Sequence, residues 1–144
     1  MQINKEIDYG LRAMIIIASD NKLLPAKEIS KRFNIPLNYL SLILAKLTKI
    51  GLVKSIQGPK GGYELAKPAN EINFLEIINA LNGPINLISC NEGEKCELDS
   101  LCSMVGVWSK LKLNMEEYFR GILLSDVLMD EGKIMQICNA RSAS

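Results

Sequence analysis

The sequence predicts a mainly α-helical protein with a small β-wing, in which a winged helix-turn-helix domain is followed by a long C-terminal dimerisation helix. Three observations support this fold class. Apolar residues recur at helical spacing in five segments, a turn at Ile35-Pro36 separates two short helices, and a glycine-rich turn separates two β-like runs soon afterwards. The length of 144 residues suits one such domain with an extension.

The first helix is predicted from Asn4 to about Asp20, where Asp20-Asn21 is a stop signal. A stripe of apolar residues at helical spacing is typical of a helix that packs on a core. The residues of this stripe are Ile7, Leu11, Met14, Ile15 and Ala18.

A helix-turn-helix is predicted next. The second helix covers Ala26–Phe33 after Pro25, and Asn34 offers the left-handed residue that ends it. The third helix, which stops at Gly51, has leucines at helical spacing: Leu37, Leu40, Leu44 and Leu47. The N-terminal end of the later helix in such a pair can enter the major groove of DNA. We therefore expect DNA contacts from the residues at that end: Asn38, Tyr39 and Ser41.

A β-wing with a basic tip is predicted after the third helix. Residues 52–56 and 63–65 are two short β-like runs around the turn 57–62, which carries Lys60. A fourth helix follows from Asn73 to Leu81, and Asn82-Gly83-Pro84 ends it. We expect this helix to pack against the winged-helix core.

The remaining chain is predicted as a loop followed by a long amphipathic helix. Residues 85–101 show no sustained period, whereas from about Ser103 to Tyr118 apolar residues recur at helical spacing. These residues form a predicted dimer seam: Val107, Trp108, Leu111, Met115 and Tyr118. A last helix is predicted from Ser125, an N-cap residue, to Asp130.

These elements divide the chain into four parts. We predict a winged helix-turn-helix DNA-binding domain at 1–84 and a cysteine-rich cluster-binding loop at 85–102. The dimerisation helix and the short last helix occupy 103–132, and a tail without pattern occupies 133–144.

Charge is distributed unevenly along a chain whose net charge is only +1. Residues 1–68 hold eleven Lys or Arg and five Asp or Glu, whereas residues 69–144 hold six and eleven. A basic first half suits a protein that meets phosphate with one end. No apolar run approaches the roughly 20 residues that cross a bilayer, and the start does not resemble a signal peptide, so we expect a cytoplasmic protein.

Three cysteines in the predicted loop, Cys90, Cys96 and Cys102, carry the metal prediction. Each is separated from the next by five residues, a rotation of about 240° on a helix, so only a wrapped loop can bring them together. Thiolates suit iron–sulfur clusters and zinc, although zinc sites generally show shorter gaps between paired cysteines. The chain contains no histidine, so a fourth ligand is a carboxylate, Cys138, another group or an exogenous molecule. Cys138 lies near the patternless terminus and is not counted as a ligand.

Four motifs in order resemble the Rrf2 family of bacterial winged-helix regulators, which includes the IscR-type and NsrR-type iron–sulfur repressors. The motifs are Asp8-Tyr9-Gly10-Leu11-Arg12-Ala13-Met14, Ile35-Pro36-Leu37-Asn38-Tyr39-Leu40, Gly58-Pro59-Lys60-Gly61-Gly62-Tyr63, and the cysteines at 90, 96 and 102. The resemblance covers nearly the whole chain.

The resemblance implies a homodimer joined through the long helix after the cysteine loop, with paired recognition helices in successive major grooves of an imperfect palindrome. It implies an iron–sulfur cluster, of two or four irons, on the three cysteines. Asp8 stands where some NsrR-type members use an aspartate ligand from the partner subunit; its other interpretation is a surface carboxylate near Arg12. Two positions depart from the family pattern: Gln57 stands where many members have Arg, and Val105 where IscR-type members have His.

Wing residues and lysines complete the predicted DNA-binding surface. The wings of the family reach adjacent minor grooves, which here involves Gln57, Gly58, Pro59, Lys60 and Gly61. Lysines on the second and third helices suit phosphate: Lys27, Lys46 and Lys49.

The sequence therefore predicts a DNA-binding transcriptional regulator, a repressor, whose operator binding is controlled by an iron–sulfur cluster that senses redox, nitric oxide or iron–sulfur status. One alternative is a metal-free regulator of the same fold that senses oxidants through its thiols. Another is an iron–sulfur electron-transfer protein that does not bind DNA. An enzyme is not expected, because the sequence has no histidine, no phosphate-binding glycine loop and no nucleophile motif.

Overall fold

A computed structural model describes residues 3–20, 22–87 and 104–128. These ranges contain five α-helices: α1 (Lys5–Asp20), α2 (Ala26–Phe33), α3 (Leu37–Ile50), α4 (Phe74–Asn82) and α5 (Met104–Arg120). The two strands are β1 (Val53–Ile56) and β2 (Gly62–Leu65), and 3-10 turns cover Ala69–Glu71 and Leu124–Val127. Within these ranges no helix is both long and apolar enough to cross a bilayer. Residues 88–102 of the predicted cysteine loop and the whole predicted tail lie outside the described ranges.

The helix-turn-helix forms where the sequence predicts it. Asn34 ends α2 in the left-handed conformation, with φ 52° and ψ 46°, and Gly51 ends α3 with φ 89°. Both residue types tolerate positive φ, which explains why the two helices end there. The Ile35 amide donates to the Ser30 carbonyl at 3.0 Å, so the turn between α2 and α3 is held by a backbone hydrogen bond.

The wing is a two-stranded antiparallel sheet that a third segment extends. Val53 pairs with Leu65 and Ile56 with Gly62. Leu24, which precedes α2, exchanges two backbone hydrogen bonds with Tyr63, of 3.0 and 2.8 Å. The wing is therefore tied to the start of the helix-turn-helix as well as to the end of α3.

A capping box begins α4. The Asn73 side chain accepts from the Glu76 amide, and the Glu76 carboxylate accepts from the Asn73 amide, both at 3.0 Å. Lys67 pairs with the same carboxylate at 2.9 Å. As predicted, α4 packs against the winged-helix core, where it contacts α1 and α3.

One hydrophobic core joins these elements. α1 contributes Met14 and Ile17, α3 contributes Leu40, Leu44 and Leu47, and further buried residues come from the wing and from α4. Three of the four leucines predicted as the apolar stripe of α3 are thus buried, whereas Leu37, in its first turn, is 39% exposed.

The segment after α5 differs from the prediction. A last helix beginning at Ser125 is not observed in the described part; Ser125 lies inside the 3-10 turn Leu124–Val127. Leu124 is fully buried, and its amide donates to the Ile72 carbonyl at 2.8 Å. Because this contact with the winged-helix core holds the backbone, tertiary packing overrides the local N-cap signal.

Replacing Gly62 by Ala is expected to loosen the wing. A Cβ at this position would lie 2.5 Å from the Leu24 carbonyl oxygen, and backbone atoms cannot move aside as a side chain can. We expect Gly62→Ala to lower the free energy of unfolding by about 1–3 kcal/mol in urea denaturation. Gly106→Ala is the control, because a Cβ there meets nothing within 4 Å, and Ala should stabilise α5 by about 0.5–1 kcal/mol. Equal stability of Gly62→Ala and wild type would contradict the close approach.

Candidate nucleic-acid interface

The outer face of α3 is the centre of the candidate interface. Helical geometry places one set of residues opposite the buried leucines, and all of them are exposed: Asn38, Ser41, Leu42, Ala45 and Lys49. The predicted base-contacting residues Asn38 and Ser41 therefore lie on one accessible surface. The Ser41 hydroxyl donates to the Leu37 carbonyl at 2.9 Å, which leaves its oxygen as an acceptor for a further partner.

Tyr39 lies on the flank of α3 that faces α1. Its ring meets the Tyr9 ring edge to face, with centroids 5.6 Å apart, and 39% of the residue remains exposed. The contact restricts the Tyr39 ring while leaving part of it accessible, which suits a contact to the sugar-phosphate backbone.

The structure separates the predicted phosphate-binding lysines into two groups. Lys27 in the first turn of α2 and Lys49 near the end of α3 are exposed. Lys46 instead forms an ion pair with Glu6 of α1 and donates to the Leu81 carbonyl at 3.3 Å. Its charge is thus matched within the chain, although 47% of its side chain remains exposed one helical turn from Leu42.

The wing tip presents the other predicted contacts. Gln57, Gly58, Pro59 and Lys60 are exposed, and Gly61 is half-buried. The Gly61 amide donates to the Gly58 carbonyl at 2.9 Å, and Gly58 has φ 109°, so the tip is a tight turn that depends on glycine. A Cβ on Gly61 would lie 2.1 Å from the Ile56 carbonyl oxygen.

An ion pair between α1 and α2 positions the helix-turn-helix. Arg32 donates to both carboxylate oxygens of Asp20, at 2.9 and 3.0 Å, and the two side chains are only 19% and 17% exposed. The hydrogen bonds from Arg32 hold the pKa of Asp20 below its ordinary value. Asp20 is the last residue of α1, where a carboxylate is unfavourable for the helix dipole, so Arg32 also offsets that charge.

The predicted metal ligands are not brought together within the described ranges. Cys90, Cys96 and Cys102 lie outside those ranges. Asp8 lies on α1 and forms an ion pair with Arg12 at 2.8 Å. This is the arrangement expected if Asp8 is a surface carboxylate near Arg12. In residues 3–20, 22–87 and 104–128, no three Cys, Asp or Glu side chains form a group that could hold a metal ion.

Sequence reasoning missed three features of this surface. Leu42 is an exposed apolar residue on the outer face of α3, and its position between Leu40 and Leu44 in the helical repeat could have revealed it. The Asp20–Arg32 pair and the Leu24–Tyr63 bridge join residues distant in sequence, so no local pattern indicates either.

The family model described as Rrf2, iron-dependent transcriptional regulator, matches residues 3–130. The chain belongs to the Rrf2 family.

Two curated relatives illustrate the membership. The transcriptional regulator NsrR of Bacillus licheniformis is 30% identical over 141 residues, which is 95% of this chain and 99% of the relative. The regulator IscR of Pectobacterium carotovorum is 30% identical over 145 residues, which is 99% and 88% of the two chains. This Rrf2 protein is thus a transcriptional regulator and binds DNA, in agreement with the expectation that it is not an enzyme.

Solved structures confirm the winged-helix fold. CymR, the global cysteine regulator of B. subtilis, superposes with a TM-score of 0.74 at 28% identity and covers 88% of this chain and 95% of its own. The oxidized form of Staphylococcus aureus CymR superposes with a TM-score of 0.67 at 28% identity, with coverages of 86% and 93%.

The stability provided by the Asp20–Arg32 pair should depend on pH. Because the pKa of Asp20 is lower in the folded protein, the pair stabilises the fold above the ordinary value of 3.8, and the stabilisation is lost as pH falls through the folded pKa. We expect Asp20→Asn to reduce the free energy of unfolding at pH 7 by about 1–2 kcal/mol, and the difference from wild type to shrink below about pH 4.

Glu28→Gln is the control for this measurement. Glu28 contacts the same guanidinium at 3.4 Å but is 53% exposed, so its loss should cost under about 0.5 kcal/mol. Urea denaturation from pH 3 to 7 is the measurement. Parallel pH profiles for wild type and Asp20→Asn would contradict the assignment.

Proposed function

We propose that this Rrf2 protein is a cytoplasmic, homodimeric repressor whose operator binding is controlled by an iron–sulfur cluster held by Cys90, Cys96 and Cys102. The observation that carries the proposal is the place of the cysteine segment. It joins the DNA-binding core, which ends with α4, directly to α5, whose apolar face is exposed. A change in this segment therefore acts on the connection between the DNA-binding unit and the dimer contact.

DNA recognition is assigned to α3 and the wing. The outer face of α3 enters the major groove, where Asn38 and Ser41 meet base edges and Tyr39 meets the backbone. Lys27 and Lys49 neutralise phosphates, and we expect a smaller contribution from Lys46, because Glu6 already pairs with it. The wing tip, from Gln57 through Gly58, Pro59 and Lys60 to Gly61, approaches the minor groove. Lys60 supplies the cation there, since Gln57 carries no charge.

Dimerisation is assigned to the exposed side of α5. None of the 17 residues of this helix is fully buried, although its apolar residues recur at the spacing of an amphipathic helix. The apolar residues of the predicted seam divide into two groups: Trp108 and Met115 are half-buried, whereas Val107, Leu111 and Tyr118 are exposed. With Met104, the exposed group repeats every three, four and seven residues, the spacing of a helix-helix seam. A second copy of α5 would cover this stripe.

The donor types fit an iron–sulfur cluster. Three thiolates are the ligands that such clusters prefer, and a chain without histidine needs a carboxylate, another thiol or an exogenous group to complete the set. Asp8 is our proposed carboxylate. To bind the cluster, Asp8 would have to leave its ion pair with Arg12. An ion pair of this kind on a helix surface contributes only about 0.3–0.5 kcal/mol to stability. When bound, the cluster supplies a group whose charge and ligation change with oxidation or with nitric oxide.

Control of DNA binding requires that the cluster favour one arrangement of the two α3 helices. A ligand shifts an equilibrium only by its difference in affinity for the two states. Residues 88–103 provide the connection, because α4 packs on α1 and α3 at one end of this segment and α5 begins at the other.

A second candidate is a regulator of the same fold whose cysteines bind no metal and form a reversible disulfide. The similarity to a CymR structure determined in an oxidized form favours this candidate. Two neighbouring cysteine thiols form a disulfide when an oxidant such as a peroxide removes two electrons from them, and a thiol reductant reverses the reaction.

Iron and sulfide analysis distinguishes the two candidates. After anaerobic purification we expect stoichiometric iron and sulfide with a visible chromophore in wild type and in Cys138→Ala. Neither should be present after replacement of Cys90, Cys96 and Cys102 by Ala, and the affinity of that variant for at least one operator should differ from that of the clustered protein. A colourless wild-type protein with thiols that oxidise reversibly would contradict the cluster and favour the disulfide.

The same preparation tests Asp8. Asp8→Asn and Arg12→Gln both remove the ion pair, but only Asp8→Asn removes the carboxylate. We expect the visible spectrum of the cluster to change in Asp8→Asn and to be retained in Arg12→Gln. Identical spectra for the two variants would exclude Asp8 as a ligand.

Two leucines of α5 test the dimer seam. Leu111 is 41% exposed on the proposed seam, and Leu113, 59% exposed, lies on the opposite side of the same helix. We expect Leu111→Glu to dissociate the dimer at micromolar concentration in sedimentation equilibrium, because the dimer would bury one glutamate of each subunit against the other. Leu113→Glu should remain dimeric. A dimeric Leu111→Glu would contradict the assigned seam.

A further inference from the structure

Leu42 is the feature of the outer face of α3 that the proposed contacts leave unexplained. Its side chain is 66% exposed, more than that of any other large apolar residue of the helix. Its neighbours on the helix surface, three and four positions away, are exposed, and all but the amphipathic Tyr39 are polar or small: Asn38, Tyr39, Ala45 and Lys46. A large apolar side chain thus stands at the centre of a surface that otherwise suits hydrogen bonds and phosphate.

The exposure of Leu42 follows from helix geometry. Leu40 and Leu44, two residues on either side, are fully buried in the core. A residue two positions from a buried one points about 200° away from it on an α-helix. Leu42 therefore stays on the outer face of α3 as long as the helix keeps its packing, where it is accessible to a partner of that face.

A protein-docking surface does not fit this side chain. Such surfaces show contiguous apolar patches, whereas Leu42 is flanked by the amide of Asn38 and the ammonium group of Lys46. The aromatic neighbour, Tyr39, packs its ring against Tyr9 and carries a hydroxyl group. An isolated apolar side chain within a polar surface suits a partner that presents one small apolar group among polar ones.

The major groove of DNA presents one such group, the 5-methyl of thymine, among hydrogen-bond donors and acceptors. We propose that Leu42 contacts the 5-methyl group of a thymine in each half-site and so determines part of the operator sequence. The inference rests on the proposed function, in which α3 enters the major groove. Leu42 has no hydrogen-bonding group, so it selects thymine through the methyl alone.

The ligand for the test is a DNA duplex selected from a random 30-base-pair library by repeated gel shift with the wild-type dimer. Each thymine of the half-sites is then replaced by uracil, which lacks only the 5-methyl group. We expect one symmetric pair of thymines at which replacement in a single half-site weakens wild-type binding about fourfold, the value of one buried methyl group. Leu42→Ala should bind the thymine duplex more weakly and should show no further loss with uracil there.

Ile50→Ala is the matched control. Ile50 lies at the end of the same helix and is 59% exposed, so the variant loses a similar apolar side chain, and it should retain the fourfold effect of uracil. The inference is overturned if no uracil replacement weakens wild-type binding, or if the uracil effect persists in Leu42→Ala. Failure of the proposed function is a different result: the selection then enriches no sequence, and binding depends on salt but not on sequence.

Discussion

The packing of α3 against α1 and α4 is the constraint on which the rest of the structure depends. Leu40, Leu44 and Leu47 are fully buried on one side of α3. Because a helix has only one orientation that buries such a stripe, the same packing presents Asn38 and Leu42 outward. Burying each leucine contributes about 1.5–3 kcal/mol, so hydrophobic burial fixes the orientation of the outer face of α3.

Polar contacts refine this arrangement. The Asp20–Arg32 pair fixes α2 against the end of α1, and the hydrogen bonds between Leu24 and Tyr63 tie the wing to the start of α2. These contacts join α1, α2 and the wing to one another, whereas the buried leucines hold α3 in the same core.

The elements of the fold were predictable because their signals are local. Asn34 and Gly51 end their helices as predicted, and α2 spans residues 26–33, the predicted range. The helix predicted from Ser125 does not begin there, because the burial of Leu124 and the hydrogen bond of the Leu124 amide to Ile72 outweigh the N-cap signal. The candidate site was predicted in part: the exposure of Asn38, Ser41 and Lys60 agrees with their proposed roles, whereas Lys46 pairs with Glu6.

The sequence by itself determined the winged-helix fold and the Rrf2 family, because periodicity, turn residues and motif order are all properties of neighbouring residues. It also supplied the three cysteines on which the cluster proposal depends. Only the tertiary structure decided which lysines are already paired, which leucine of α3 faces outward, and which side of α5 remains uncovered. These depend on contacts between residues far apart in the chain, such as the 40 positions between Glu6 and Lys46, and no local pattern encodes them.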